Sequence, residues 1–254
     1  VSQLQNVTLV LWLFAPALQV CLIILLLRRE AHHIFRWFFA YNVFAVVAEI
    51  TKMLLLHKPA AYFYFYFAAE ACYAALGFLA IYEVFRYLFQ SFYQLAWFKF
   101  LLPVTGIVML GFSVLIPIAR PPVKTDFALA ALLCTEIAVR CLQVGVFFLI
   151  FLIARIFNMY YRQYAFGIAA GFGFSAIGIL LSVMFRSGFG TRYKEVLTLV
   201  PSLAYDCAVA VWILSFIRQE AADPFRDFRH LFTPELFLQH LGRYREQIKG
   251  IMRL

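Results

Sequence analysis

The sequence predicts an all-α, polytopic membrane protein, a bundle of seven transmembrane helices over residues 1–217 followed by a cytoplasmic amphipathic helix in the tail at 218–254. Three observations predict it. Of the 254 residues, 65% are hydrophobic and only 14% charged, against an apolar share near one half in soluble domains. Seven apolar runs are each long enough to cross about 30 Å of hydrocarbon, which takes roughly 20 helical residues. The connections between the runs are short, and Pro59, Pro121, Pro122, Gly188 and Gly190 stand at several of them.

The first run, about 7–27, has no basic residue before it and Arg28 and Arg29 directly after it. That order is the reverse of a secretory signal peptide, so the run is expected to stay as a helix. The string "LQVC" at 18–21 is a poor lipoprotein cleavage site, because Val20 is bulky and a basic lead-in is missing. The second run, about 37–56, carries Glu49 and Lys52. The third, about 62–89, starts in dense alternating aromatics, "YFYFYF", as an aromatic belt at a membrane interface does. The fourth covers about 98–119, and the fifth, about 127–154, contains "TEIAVRCLQVG". In the sixth, about 163–185, Gly167, Gly171 and Ser175 are four apart, as are Ala169 and Gly173. Small residues at that interval let helix backbones approach closely. The seventh, about 195–217, has Asp206 near its middle.

Orientation comes from the basic residues in the short connections. One side holds Arg28, Arg29, Arg36, Arg86, Lys99, Arg155, Arg162 and seven more from Arg218 to Arg253; the other holds Lys58, Arg120, Lys124, Arg186, Arg192 and Lys194. Fourteen against six places the N-terminus outside and the tail in the cytoplasm. The formal charge of +9 is then a topology signal and an attraction to anionic lipid, and nucleic acid is not an expected partner. All five cysteines lie inside apolar runs without C-x-x-C spacing, which is the pattern of small buried apolar residues.

Charged groups inside the runs cost about 2.5–3.5 kcal/mol each at a bilayer centre, so each should face the bundle interior with a partner. The set is Glu49, Lys52, Glu70, Glu136, Arg140 and Asp206, with Gln19 and Gln143 as neutral companions. Glu49 and Lys52 are three apart and Glu136 and Arg140 four apart, so each pair can meet on one helix face. Gln143 continues the Arg140 face, and the whole set falls between the midplane and the outer side. Four carboxyls against two cations call for a retained proton, a bound cation or entering water. A packed hydrogen-bond network holding the helices in register is the alternative that needs no ligand.

Known seven-helix chemistries find no residues here. Retinal needs a lysine in the last run, and "VLTLVPSLAYDCAVAVWILSFI" has none. The five histidines, His32, His33, His57, His230 and His240, lie in loops or tail, away from where a haem in the bundle would need them. Neither a metal site nor a protease set can be assembled, so no enzyme is expected.

The strings "YFYFYFAAEACYAALGFLAIYEVFR", "TEIAVRCLQVG", "FGIAAGFGFS" and "AYDCAVAVW" together resemble a family of seven-helix bacterial membrane proteins with no assigned activity, over roughly residues 7–217. The resemblance implies the architecture and carries over no functional residue. That architecture is similar to the seven-helix sensory modules of bacterial signalling proteins. Those usually continue into a kinase or cyclase domain, whereas this bundle leads into a short helix, so signalling through a partner is expected.

In the tail, Thr233 and Pro234 form an N-cap and first-turn proline before Glu235. Phe237, Leu241, Tyr244, Ile248 and Ile251 then make a stripe spaced four, three, four, three, which needs a surface to bury against. Membrane lipid, a protein partner and a second copy are the candidates. The leading expectation is a non-enzymatic, sensor-like or accessory subunit of a membrane assembly. A small transporter using the intramembrane carboxylates is the first alternative, and a subunit holding pigment, quinone or lipid against the aromatic rows is the second. No cofactor is otherwise expected beyond bound lipid.

Overall fold

The computed structural model describes residues 2–89, 96–119, 127–156, 163–189 and 194–217. Seven long helices account for most of them: α1 (Ser2–Arg28), α2 (Arg36–Leu55), α3 (Pro59–Leu88), α4 (Ala96–Ala119), α5 (Phe127–Ile156), α6 (Gln163–Phe189) and α7 (Lys194–Ile217), with a 3-10 turn at Ala31–His33. No strand occurs among the described residues. The helices coincide with the seven apolar runs to within a few residues, because an uninterrupted apolar run ends where charge, Pro or Gly begins. Residues 218–254, with the stripe Phe237, Leu241, Tyr244, Ile248 and Ile251, lie outside the described residues, as does the side chain of Glu136.

Among the described residues, Arg36–Leu55, Pro59–Leu88, Tyr164–Ser182 and Leu199–Ile217 are long and apolar enough to cross a membrane. Phe14–Arg28, Lys99–Met109 and Ile137–Leu152 are shorter apolar helical stretches. Large apolar side chains such as Leu54, Ile107 and Leu214 are exposed on the outside. Such a surface suits lipid and would be costly in water.

Local chemistry sets the helix ends. At the end of α1, the Arg29 N–H donates to the Leu25 carbonyl (3.0 Å) and the Glu30 N–H to the Leu27 carbonyl (3.1 Å). Glu30 itself is left-handed, with φ 55°, the C′ geometry that turns a chain out of a helix and that glycine adopts most easily. α3 starts with Pro59, whose ring pre-sets the helical φ and whose missing N–H would have had no intrahelical partner.

α1 lies between α7 and α2, α2 packs on α3, α3 on α5, α5 on α6 and α6 on α7, closing a ring; α4 packs on α5. Several ends meet at one level. The Arg29 guanidinium reaches the Ile217 carbonyl, Glu83 of α3 reaches the start of α2, and Tyr164 of α6 stacks on Phe216 of α7 at 4.6 Å. We call this end, which carries the 31–33 turn, proximal, and the opposite end distal.

Aromatic packing fills the proximal half. Phe38 and Tyr41 of α2, Phe172 of α6 and Trp212 and Phe216 of α7 are all buried, with ring centroids 5.0–6.2 Å apart, mostly edge to face. Edge-to-face pairs bring a positive ring edge onto a negative face, worth roughly 0.5–1.5 kcal/mol beyond burial. The Trp212 indole N–H donates to the Ile168 carbonyl at 3.1 Å. That contact requires a missing side chain on α6, since a Cβ at Gly171 would overlap the indole ring. On the same seam Gly167 lies against Ser215 and Gly178 against Ala204, with buried Ser175 between Gly171 and Gly178, while Gly173 faces Phe147 of α5.

Candidate functional site

The polar side chains gather above the aromatic core. Counting about 1.5 Å per residue from the proximal ends of α1, α3, α5 and α7, with the start of α2 set level with Glu83, which caps it from inside α3, Gln19 lies at ~14 Å, Tyr205 at ~18 Å, Gln143 at ~20 Å, Tyr73 at ~22 Å, Arg140 at ~24 Å, Glu49 and Glu70 at ~27 Å and Lys52 at ~32 Å. The aromatic core covers roughly the first 15 Å on the same scale. The interior is therefore mainly aromatic proximally and polar distally, with the buried Asn42 amide, which donates to the Phe38 carbonyl at 2.8 Å, at the boundary.

Two connected groups make up the distal half. In the first, the Lys52 ammonium donates to Glu49 at 2.9 Å and stands 3.9 Å from the Glu70 carboxylate. It also lies 5.4 Å from the Tyr66 ring centroid and 5.5 Å from that of Tyr73. Carboxylates and ring faces together compensate an ammonium drawn out of water. The i,i+3 pairing of Glu49 and Lys52 is local to α2, whereas Glu70 and the tyrosines come from α3. Tyr73 is tied back to α2 by its hydroxyl, which donates to the Ala45 carbonyl at 3.3 Å.

In the second group the Gln19 amide donates to the Tyr205 hydroxyl. Tyr205 lies beside Tyr41, and Tyr41 lies within electrostatic reach of the Arg140 guanidinium. Arg140 also donates to the Gln143 amide oxygen at 3.4 Å. Gln143 is buried close against α3, where a Cβ at Gly77 would come within 2.9 Å of its amide nitrogen. Gly77 thus lets the amide lie against the α3 backbone. Gln19, Tyr205, Tyr41, Arg140 and Gln143 thus bring polar side chains of α1, α7, α2 and α5 together.

Asp206 stands differently. It is 8% exposed, and neither carboxylate oxygen has a hydrogen-bond partner among the described residues. Among the described residues it lacks the partner expected of an intramembrane charge. Asp206 is buried at another azimuth of α7, about 100° of helix from Tyr205, and takes no part in that polar group.

Glu83 does what no sequence feature announced. Its carboxylate accepts the backbone N–H groups of Arg36 (2.9 Å), Trp37 (2.9 Å) and Phe38 (3.4 Å), capping α2 from α3. The residue at the N-cap position, Phe35, makes no side-chain cap. A helix start without Ser, Thr, Asp or Asn was the available signal, because its orphan donors must be satisfied from elsewhere.

An apolar cleft of about 370 Å³ opens between α3, α4 and α5. Of its twelve lining residues only Glu70 and Thr135 have polar side chains, and Ala71, Ala74, Ala75 and Gly106 are too small to fill it. No group of three or more metal-ligating side chains occurs among the described residues. Comparison of the chain with protein families, with curated proteins and with solved structures returned no match in any of the three.

Proposed function

We propose that the chain is a non-enzymatic seven-helix membrane module of the sensor-like or accessory kind, in which all seven helices span a bacterial cytoplasmic membrane with the proximal end inside. The observation that carries this reading is the divided interior. A polar distal half ends on a buried aromatic proximal half, an arrangement suited to admitting a ligand or a partner from one side and unsuited to passing solute to the other. Helix ends held together proximally, by Arg29 on Ile217 and Glu83 on Trp37, give a distal event a route to the tail. The surplus of basic residues on the proximal connections supports the orientation.

Reporter fusions after Ile217 and between α6 and α7 test the topology, and a cytoplasmic reading only after Ile217 is expected. Function is tested on the full chain in nanodiscs. A lone monomer whose behaviour and phenotype are unchanged by deleting 233–254 would sink the partner-coupled reading.

A second reading, a small proton- or cation-coupled transporter, is favoured by one observation, the buried Asp206 carboxyl without a hydrogen-bond partner among the described residues. Proteoliposome flux that persists unchanged in Asp206→Asn and Glu136→Gln rules it out, and flux abolished by both would displace the sensor reading.

A further inference from the structure

Phe78 of α3 and Gly106 of α4 mark a level at which the two helices can be compared. A Cβ at Gly106 would approach the Phe78 ring to 2.7 Å, so the helices touch there. Both residues lie ~15 Å from the proximal ends of their helices, at about 1.5 Å per residue. Arg86 is eight residues proximal to Phe78, and Lys99 seven residues proximal to Gly106. The two cations therefore stand ~12 Å and ~10 Å below the contact, level with each other to within ~2 Å. Azimuth agrees with level. On α3, Ala71, Ala75, Phe78, Tyr82 and Arg86 are spaced four, three, four, four, and on α4, Lys99, Leu102, Gly106 and Met109 are spaced three, four, three, so each series keeps to one helix face. The distal members of both series line the apolar cleft. One crevice between α3 and α4 thus has apolar walls distally and a cation on each helix proximally.

Both cations are exposed, and neither is engaged by a carboxylate among the described residues. Glu83, the acid nearest to Arg86 along α3, gives its carboxylate to the start of α2. Depth then selects the occupant. The 30 residues of α3 span ~45 Å against about 30 Å of hydrocarbon, leaving roughly 7 Å of helix outside at each end. Arg86 and Lys99, ~3–5 Å from the proximal helix ends, then lie among the lipid head groups, while the cleft from Leu79 to Ala71 runs from ~6 Å to ~18 Å inside the hydrocarbon. A lipid of the proximal leaflet brings its phosphate to the first level and an acyl chain to the second, since half the hydrocarbon is about 15 Å thick. Two cations without a paired acid suit a head group that carries a phosphate and no ammonium, because an ammonium would be held beside like charge.

We infer that the crevice between α3 and α4 binds an anionic phospholipid of the proximal leaflet, its phosphate between Arg86 and Lys99 and one acyl chain in the cleft along Ala74 and Ala138. The guanidinium offers a fork to two phosphate oxygens and the ammonium a point charge. The chain fills the space of about 370 Å³ that alanine and glycine leave. The inference rests on the reading of the helices as membrane-spanning and on no other part of the proposed function. Binding is read directly, by occupancy, so its failure leaves topology and the coupling of bundle to tail as separate questions.

The test uses the full-length protein in phosphatidylcholine nanodiscs doped with a phosphatidylglycerol that carries a diazirine in one chain. Photo-crosslinks should map to peptides containing 71–79, 106–109 and 138–142, and unlabelled phosphatidylglycerol should compete where inorganic phosphate does not. Arg86→Gln and Lys99→Gln should each lower the yield roughly five-fold, the share of one basic residue at a membrane surface. Ala74→Phe and Ala138→Phe, on different helices, should each abolish labelling of these peptides by filling the cleft, and either suffices if the other fails to fold. Equal labelling by a phosphatidylcholine probe, or full labelling in both cation variants, overturns the head-group assignment. Protection by inorganic phosphate would make a free anion, and not a lipid, the occupant of the two cations. Labelling unchanged in a folded Phe variant overturns the site.

Discussion

The Glu83 carboxylate accepts the backbone N–H of Trp37 at 2.9 Å across 46 residues of sequence, so that one helix caps another. With Arg36 and Phe38 also donating to it, this carboxylate satisfies three of the N–H groups at the start of α2. N-cap removal costs about 0.5–2 kcal/mol in soluble helices. Glu83→Ala should lower stability by about that amount, and Glu83→Gln by less, since one amide oxygen can still accept. Thermal unfolding in nanodiscs with hydrogen exchange at 36–38 reads both. Exchange there as slow in the alanine variant as in the parent would show that another acceptor takes over.

The seam between α6 and α7 makes a paired prediction. A Cβ at Gly171 overlaps the buried Trp212 indole, whereas a Cβ at Gly145 of α5 meets nothing within 4 Å. Overpacking costs typically about 1–3 kcal/mol, and removing a helical glycine from open space gains about 0.5–1 kcal/mol. Gly171→Ala should therefore destabilise and Gly145→Ala should not. Identical unfolding midpoints for the two would contradict the close approach at Trp212.

Gln19 and Tyr205 are 186 residues apart and meet in the interior. Tyr205→Phe removes the acceptor for a buried amide. Hydrogen bonds between helices in membranes average about 0.6 kcal/mol and reach about 1.7, so a loss within that range is expected. A double-mutant cycle with Gln19→Leu decides the matter: the double variant should be more stable than the sum of the single losses, and strict additivity would mean the two side chains do not couple.

Legibility in the sequence depends on distance along the chain. The helices are readable because an apolar run of about 20 residues has few other solutions, and Glu49 with Lys52 because both lie on one helix face. The joining of Lys52 to Glu70 across helices is not, since spacing within one run says nothing about the azimuth of the next. Tyr41, Tyr73 and Tyr205 are hidden for another reason. A tyrosine in an apolar run reads as packing or as an interface belt, and only tertiary structure shows which hydroxyls turn inward. Asp206 and Glu70 belong together by depth in the sequence, yet depth fixes a level and leaves direction open.

Asp206 separates a scaffold from a working site. A buried carboxyl without hydrogen-bond partners opposes folding, and an apolar replacement of similar size removes that cost. Asp206→Leu should raise stability by about 1–4 kcal/mol, the range found when buried ionic groups give way to apolar packing. If the residue serves function, the same variant gains stability and loses activity in the assay that the sensor or transport reading supplies. A destabilised Asp206→Leu would mean that the carboxyl holds a partner of its own in the folded state.

Arg29 holds the last residue of α7. Its guanidinium donates to the Ile217 carbonyl at 2.8 Å, at the last residue of α7. The final carbonyls of a helix have no intrahelical partners, and a cation beside them contributes about 0.3–1 kcal/mol. Arg29→Gln should therefore let the last turn of α7 fray, raising hydrogen exchange at 214–217 by roughly two- to five-fold on that figure, while exchange at the start of α2 stays as before. In the sensor reading the variant should also weaken coupling to the tail more than it weakens the bundle. Unchanged exchange at 214–217 would mean that α7 is held by its packing on α6 and α1, and that the guanidinium contributes nothing to its end.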